Sequence, residues 1–169
     1  CWNSDNQACL CEYYQKDGKR VIMKNKLLTK KEFNDIYSKI PRLCVDLVIV
    51  RGQKVLLTKR SIPPFKGLWH LPGGGVLYRE KIEDSISRIA KTELGIKVKH
   101  KKLLGYLEIL KEGPHRHSIT LEFKCEILGK TEPKALEQAS EYKFFDKLPK
   151  KIISEQRKFL KNNWKKILR

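Results

Sequence analysis

The chain has 169 residues, enough for one domain with a real core, and its 40% hydrophobic content with three Trp argues for a folded globule rather than a disordered chain. Lys and Arg number 37 against 19 Asp and Glu, a net charge of +18 that raises the local concentration of anions, nucleotides and nucleic acid among them. No apolar run approaches the roughly 18 residues of a membrane span, the opening CWNSDNQACLCEYY is too polar for a signal peptide, and a cytoplasmic location is the expectation.

The lysines are scattered rather than blocked, so most read as solvated surface. RNA stays a candidate partner on charge alone, because none of the common aromatic-basic nucleic-acid modules is visible. Five Cys is an odd number and implies no disulfide framework. Cys1, Cys9 and Cys11 form a C-x7-C-x-C cluster that reads either as zinc ligands or as free thiols. The missing C-x2-C knuckle favours free thiols.

Residues 8–24 predict a hairpin: Leu10 to Tyr14 and Arg20 to Met23 are β-prone and flank Asp17-Gly18, a type I′ turn signal. Residues 1–26, which hold this hairpin, lie ahead of the stretch, from about Leu27, that resembles a known family, and are set apart as an N-terminal β-hairpin extension preceding a domain at 27–169. Thr29 to Lys39 predicts a helix, opened by a capping box of Thr29 and Glu32 and closed by Pro41, with Phe33, Ile36, Tyr37 and Ile40 on its apolar face. Leu43 to Val50 is a continuous apolar strand, Gly52 a turn, and Val55 to Arg60 its hairpin partner. Asp46 lies inside the apolar run and needs a partner there, since a buried lone charge is costly. Trp69 reads as packing the following loop onto the sheet rather than stacking on a base.

Gly73-Gly74-Gly75 leaves backbone that a ligand can approach, because no Cβ stands in the way. A helix is predicted from near Lys81 to Gly95, with Ile82, Ile86, Ile89 and Ala90 on its buried face. Gly95 suits the left-handed position that ends a helix. Lys97 to Leu110 and His117 to Ile127 predict strands, the second with Ile119, Leu121, Phe123 and Cys125 on one face. Glu112 to Pro114 reads as a turn, Glu126 to Leu136 as a loop, and Tyr142 to Phe145 as a short strand. Lys150 to Leu168 is a basic amphipathic helix with Ile153, Leu160, Trp164 and Ile167 facing inward. Docking on the sheet is preferred over a membrane surface for it.

The bare glycines stand beside Glu80, Arg88 and Glu93, a setting suited to a phosphate–metal complex. Gly74, Glu80, Arg88, Glu93, Gly95 and Ile96 fall at the spacing G-x5-E-x7-R-E-U-x-E-E-x-G-U, and residues 69–96 resemble the Nudix box. Ile89, Ala90 and Thr92 depart from it. The altered box is similar to that of the GDP-mannose mannosyl hydrolase branch. So are L-x-x-x-E/D-F near Phe33, P-x-x-x-x-D at Pro41 to Asp46, L-L-x-K-R at Leu56 to Arg60, G-x-W-x-x-P-G-G at Gly67 to Gly74, and E-Q-x-x-[DE]-Y at Glu137 to Tyr142.

This resemblance implies an α+β Nudix fold, an α/β/α sandwich around a mixed β-sheet. It implies Mg²⁺- or Mn²⁺-dependent hydrolysis of a nucleoside diphosphate derivative, a nucleotide sugar like GDP-mannose, to nucleoside diphosphate and sugar. One ion would be held by the Gly73 carbonyl, Glu93 and Gln138. Ile89 and Thr92 argue against further ions. Arg60 would help the diphosphate leave, and Arg88 would hold the helix or a phosphate oxygen. Asp46 would face the sugar nucleotide, with a structural ion pair as the competing reading. The first helix, with Glu32, would lie near the nucleotide and support a homodimer, or simply pack. Ser118 takes a substrate-facing position where the branch has tyrosine. Two departures matter at the sugar end: Ala139 replaces the histidine base, and Gly75 replaces the arginine after P-G-G. Glu141, Asp46, His115 and His117 are the candidate replacement bases. Pyrophosphatase attack at phosphorus and a non-catalytic nucleotide- or RNA-binding domain remain the alternatives.

Overall fold

The computed structural model describes residues 9–14, 20–25, 28–110, 117–136 and 138–169, with the backbone alone at 9–14, 20–25 and 30. The chain forms β1 (Cys9–Tyr14), β2 (Arg20–Asn25), α1 (Lys30–Tyr37), β3 (Arg42–Arg51), β4 (Lys54–Arg60), β5 (Trp69–His70), β6 (Gly73–Gly75), α2 (Ile82–Leu94), β7 (Lys97–Ile109), β8 (Ser118–Leu128), β9 (Ala139–Phe145) and α3 (Ser154–Leu168). β1 and β2 pair antiparallel with each other as a separate two-stranded sheet. The Asp17-Gly18 turn, the Cys1, Cys9 and Cys11 thiols, the Glu112 to Pro114 turn, His115 and Glu137 lie outside the described residues or side chains.

The main sheet runs β5-β4-β3-β8-β7, with β6 also on β3 and β9 on β4. β3 and β8 are parallel and the other pairs antiparallel, so the sheet is mixed. Alternation along β3 sends Val45, Leu47 and Ile49 to one face, where they meet Ile86, Ile89, Ala90 and Leu94 of α2. Val48 goes to the other face with Val55, Leu57 and the Leu160 and Ile167 side chains of α3. A helix covers each face, which makes the α/β/α sandwich. No described helix is long and apolar enough to cross a membrane.

Local signals set the helix ends. Thr29 Oγ1 accepts from Glu32 N (3.3 Å) while Glu32 Oε2 accepts from Thr29 N (2.7 Å), the reciprocal capping box. α2 begins after Lys81, whose side chain makes no capping bond, and ends at Gly95 with φ 65°, the left-handed conformation that glycine adopts without a Cβ clash.

Three sequence expectations shift. β8 continues to Leu128, so the loop begins later than Glu126, because Glu126 and Leu128 still pair with β7. β9 starts at Ala139 rather than Tyr142, since its first residues extend β4 as far as Arg60. α1 ends at Tyr37 rather than Lys39, and although Phe33 is buried, Ile36 on the helix and Ile40 beyond it are 38% and 52% exposed. The covered part of that helix is the edge over Arg42.

One topological feature opens the site. β8 follows one edge of β3 from Arg42 to Ile49. On the other edge β3 changes partner: β6 pairs at Cys44 to Asp46, and β4 pairs at Val50 and Arg51. The far half of β4 turns away to pair with β5 and β9. A cleft forms where β4 and β6 separate.

Candidate active site

The cleft holds a cavity of about 360 Å³. Asp46, Arg60, Gly73, Glu93, Ser118 and Gln138, all singled out from sequence, border it. Each arrives on a different piece of backbone. Glu93 lies on the last turn of α2 and is 3% exposed. Gln138 is brought to Arg60 by the bond from Ser61 N to the Gln138 carbonyl (2.8 Å) and by the Arg60–Ala139 register. Arg60 is fixed in turn by its Nε donating to the Pro64 carbonyl (2.5 Å).

The glycine strand presents its carbonyls. Leu47 N donates to Pro72 O (2.8 Å) and Val76 N to Leu43 O (3.1 Å). Bonded and non-bonded pairs alternate in an antiparallel ladder, so Asp46/Gly73 and Cys44/Gly75 are non-bonded pairs. The carbonyls of Gly73 and Gly75 therefore point away from β3. Gly75 O accepts from Arg88 Nη2 (2.9 Å), whereas Gly73 borders the cavity. Non-bonded partners also approach closely. A Cβ at Gly73 would collide with the Asp46 carboxyl and sit 2.8 Å from Val45 O.

Glu93, the Gly73 carbonyl and Gln138 are hard oxygen donors on one cavity and fit a single divalent ion that keeps part of its shell for water and phosphate. Ile89 is wholly buried in the core, and the Thr92 hydroxyl donates to Ile89 O (3.4 Å), so neither position adds a carboxylate. Among the described residues no group of three or more His, Cys, Asp or Glu is arranged to hold a metal.

Two predicted residues sit elsewhere. Arg88 is not on the cavity. Its Nε meets Glu80 Oε1 at 2.6 Å and its Nη2 meets Glu80 Oε2 at 2.8 Å, with side chains 12% and 2% exposed. Glu80 also accepts from Leu77 N (2.9 Å). This pair ties the glycine loop to α2. Glu32 is engaged in the α1 cap, and its neighbour Phe33 borders the cavity instead. Among the candidate bases, Glu141 pairs with Lys59 (3.7 Å) at the surface, and His117 does not border the cavity.

Four polar residues were missed from sequence. Gln156 of α3 donates Nε2 to Asp46 Oδ2 (2.5 Å) and accepts from Leu71 N (3.0 Å), so an amide orients the Asp46 carboxyl. The readable signal was a glutamine on the apolar face between Ile153 and Leu160. Glu122 is fully buried, in register with Asp46. Burial, then the adjacent Asp46 charge and a shared hydrogen bond with that carboxyl, push the Glu122 carboxyl well above its ordinary range. Neither Glu122 oxygen finds any other partner among the described residues. His70 borders the cavity with Nδ1 2.7 Å from the Leu71 carbonyl, which requires the Nδ1–H tautomer, and Nε2 3.3 Å from the Thr58 hydroxyl. Burial and the Arg60 charge, against that carbonyl bond, push its pKa down to about 4, so it is neutral. Arg42 is the fourth: it borders the cavity with its guanidinium 5.2 Å from the Phe33 ring centre and 5.9 Å from that of Tyr37.

Known proteins resemble this chain in sequence and in fold. The NUDIX domain family matches residues 40–162. The chain is 38% identical over 129 residues to an ADP-ribose pyrophosphatase of Methanocaldococcus jannaschii, covering 74% of this chain and 75% of that protein. It is 39% identical over 77 residues to a low-salt glycan biosynthesis protein of Haloferax volcanii, covering 46% of this chain and 49% of that one. A MutT NUDIX hydrolase from Burkholderia pseudomallei superposes with a TM-score of 0.66 at 29% identity, over 72% of this chain and 97% of that one. With its box on the loop and helix that border the cleft, the chain belongs to the Nudix family and is a Nudix hydrolase.

Proposed function

We propose that the enzyme hydrolyses a nucleoside diphosphate linked to a sugar, cleaving the diphosphate at phosphorus with one Mg²⁺ or Mn²⁺. The observation that carries this reading is the donor set on one cavity: Glu93, the Gly73 carbonyl and Gln138, with Arg60 beside them. The ion would neutralise the diphosphate and polarise phosphorus. Arg60 would hold two phosphate oxygens at once, as a planar guanidinium does, and disperse charge on the leaving group. Asp46, oriented by Gln156, is the carboxylate placed to accept a proton from the attacking water. The 38% identity to an ADP-ribose pyrophosphatase supports attack at phosphorus.

Release of nucleoside diphosphate and free sugar is the second reading. The Ile89 and Thr92 substitutions shared with the mannosyl hydrolase branch favour it, while Ala139, which cannot move a proton, weighs against it. A panel of ADP-ribose, GDP-mannose and UDP-glucose with Mg²⁺ in heavy-oxygen water separates the two. Nucleoside monophosphate with label in phosphate is the expected product. Label in the sugar would establish the second reading. Glu93→Gln is expected to abolish turnover in either case, and a variant as active as wild type would remove the metal assignment.

A further inference from the structure

Arg42 and Ser118 stand in register at the starts of β3 and β8, and both border the cavity. Arg42 lies four residues before Asp46, about 13 Å along the strand at roughly 3.3 Å per residue. Its guanidinium reaches part of the way back and lies against Gly75, where a Cβ would collide with it. Gly75 is two residues beyond Gly73, about 7 Å along β6. That separation from the metal end matches a sugar ring better than a neighbouring phosphate.

The guanidinium lies 5.2 Å from the Phe33 ring centre and 5.9 Å from that of Tyr37, cation–π contacts that hold it and strip part of its water. Among the described residues it has no carboxylate partner and no hydrogen-bond acceptor, although it carries five donors. Ser118 is 1% exposed, and its Oγ has no hydrogen-bond partner among the described residues. A buried hydroxyl left without a partner is unfavourable. A held cation and an unmatched hydroxyl on the same cavity both call for an acceptor oxygen, and neither belongs to the Glu93 end.

We propose that Arg42, with Ser118, forms the subsite that selects what lies beyond the diphosphate, taking a sugar-like group that carries an anionic oxygen, a carboxylate or a phosphate. This rests on the reading that the cavity takes a nucleoside diphosphate derivative. Lysine at 42 would keep the charge but lose the planar fork that stacks on the rings and grips two oxygens.

Two matched ligand pairs test it by calorimetry with Mg²⁺: UDP-glucose against UDP-glucuronate, and ADP-ribose with and without a phosphate on the terminal ribose. The charged member of one pair is expected to bind at least about 10-fold more tightly, the value of hydrogen bonds to a charged group. The pair that shows it identifies carboxylate or phosphate. Arg42→Gln should bring that ratio to within about twofold, Arg42→Lys should retain part of it, and Ser118→Ala should reduce it by less than Arg42→Gln does. Phe33→Leu, which leaves the charge and removes one ring, should also lower the ratio, and it carries the test if Arg42→Gln does not fold. Equal affinities within both pairs, no binding of any of the four, or a preference that survives in a folded Arg42→Gln protein overturns the proposal. Because binding is read apart from turnover, a protein that discriminates the pairs yet hydrolyses none would sink the hydrolytic reading and leave this one standing.

Discussion

Arg88→Met is expected to weaken the fold before it touches the chemistry. Arg88 and Glu80 are joined by two short contacts, 2.6 and 2.8 Å, with side chains only 12% and 2% exposed. Without the guanidinium, the Glu80 carboxylate is left buried with the Leu77 N–H as its remaining hydrogen-bond donor. Breaking a buried pair by removing one partner costs about 3–5 kcal/mol, because the other charge is stranded. Globular proteins gain about 2.1 cal/mol/K per residue on unfolding, so a chain of 169 residues has an unfolding entropy near 0.35 kcal/mol/K and its midpoint should fall by about 8–14 °C. The double variant Glu80→Gln with Arg88→Met should recover much of this, since both charges leave together. Circular dichroism melts of the four proteins give the coupling energy, and turnover is measured well below the lowest midpoint. Loosening the Gly75 carbonyl will also cost some rate, since a shift near 1 Å can cost about 100-fold. An unchanged midpoint with a kcat loss beyond about 100-fold would refute the reasoning and return Arg88 to the substrate.

Gly73→Ala should destabilise by about 1–3 kcal/mol through overpacking, because its Cβ meets the Asp46 carboxyl and the fixed Val45 carbonyl. It should also weaken Mg²⁺ binding, and wild-type values for both the urea midpoint and the metal titration would remove the close-approach account. His70 has a folded pKa lowered to about 4 against an ordinary 6.5. The unfolded chain therefore takes up its proton first as pH falls. This contribution is complete above pH 6.5 and is lost between about 6.5 and 4, by about 3 kcal/mol in all. His70→Gln should flatten that limb of the stability–pH curve, and an identical slope in the variant would show that other groups cause it. Glu122 has the opposite sign: its folded pKa is raised, so folding takes up a proton above pH 4.5 and stability falls as pH rises toward the folded value. Glu122→Gln, which keeps the neutral shape, should gain stability over wild type increasingly with pH in that window. A variant less stable than wild type at pH 8 would show that Glu122 is ionised in the fold.

Much of the site was legible locally. The Nudix spacing located Glu93 and the glycine strand because that function depends on one loop and one helix, whose contacts lie within a short stretch. The caps at Thr29 and Gly95 were readable for the same reason: a capping bond joins residues three or four apart. The β8 pattern was read for its apolar face; of the residues on the other face only Ser118 was singled out, through the family resemblance, and Thr120 and Glu122 were not. All three are buried, Ser118 and Thr120 at the cavity and Glu122 in register with Asp46, which no periodicity in β8 can announce.

The sequence by itself thus determined the helix ends, the alternation of the strands, the bare backbone at Gly73 and the carboxylate at Glu93. These follow from short-range sterics and hydrogen bonding. Only the tertiary structure decided that Gln156 orients Asp46, that Glu122 faces Asp46 across two parallel strands, and that Arg42 comes to lie over Gly75. The Asp46–Gln156 contact joins residues 110 positions apart, and the others depend on strand register and on β3 changing partner. The protonation of buried groups is set the same way, by what the packed fold removes from water and which charges it leaves beside them.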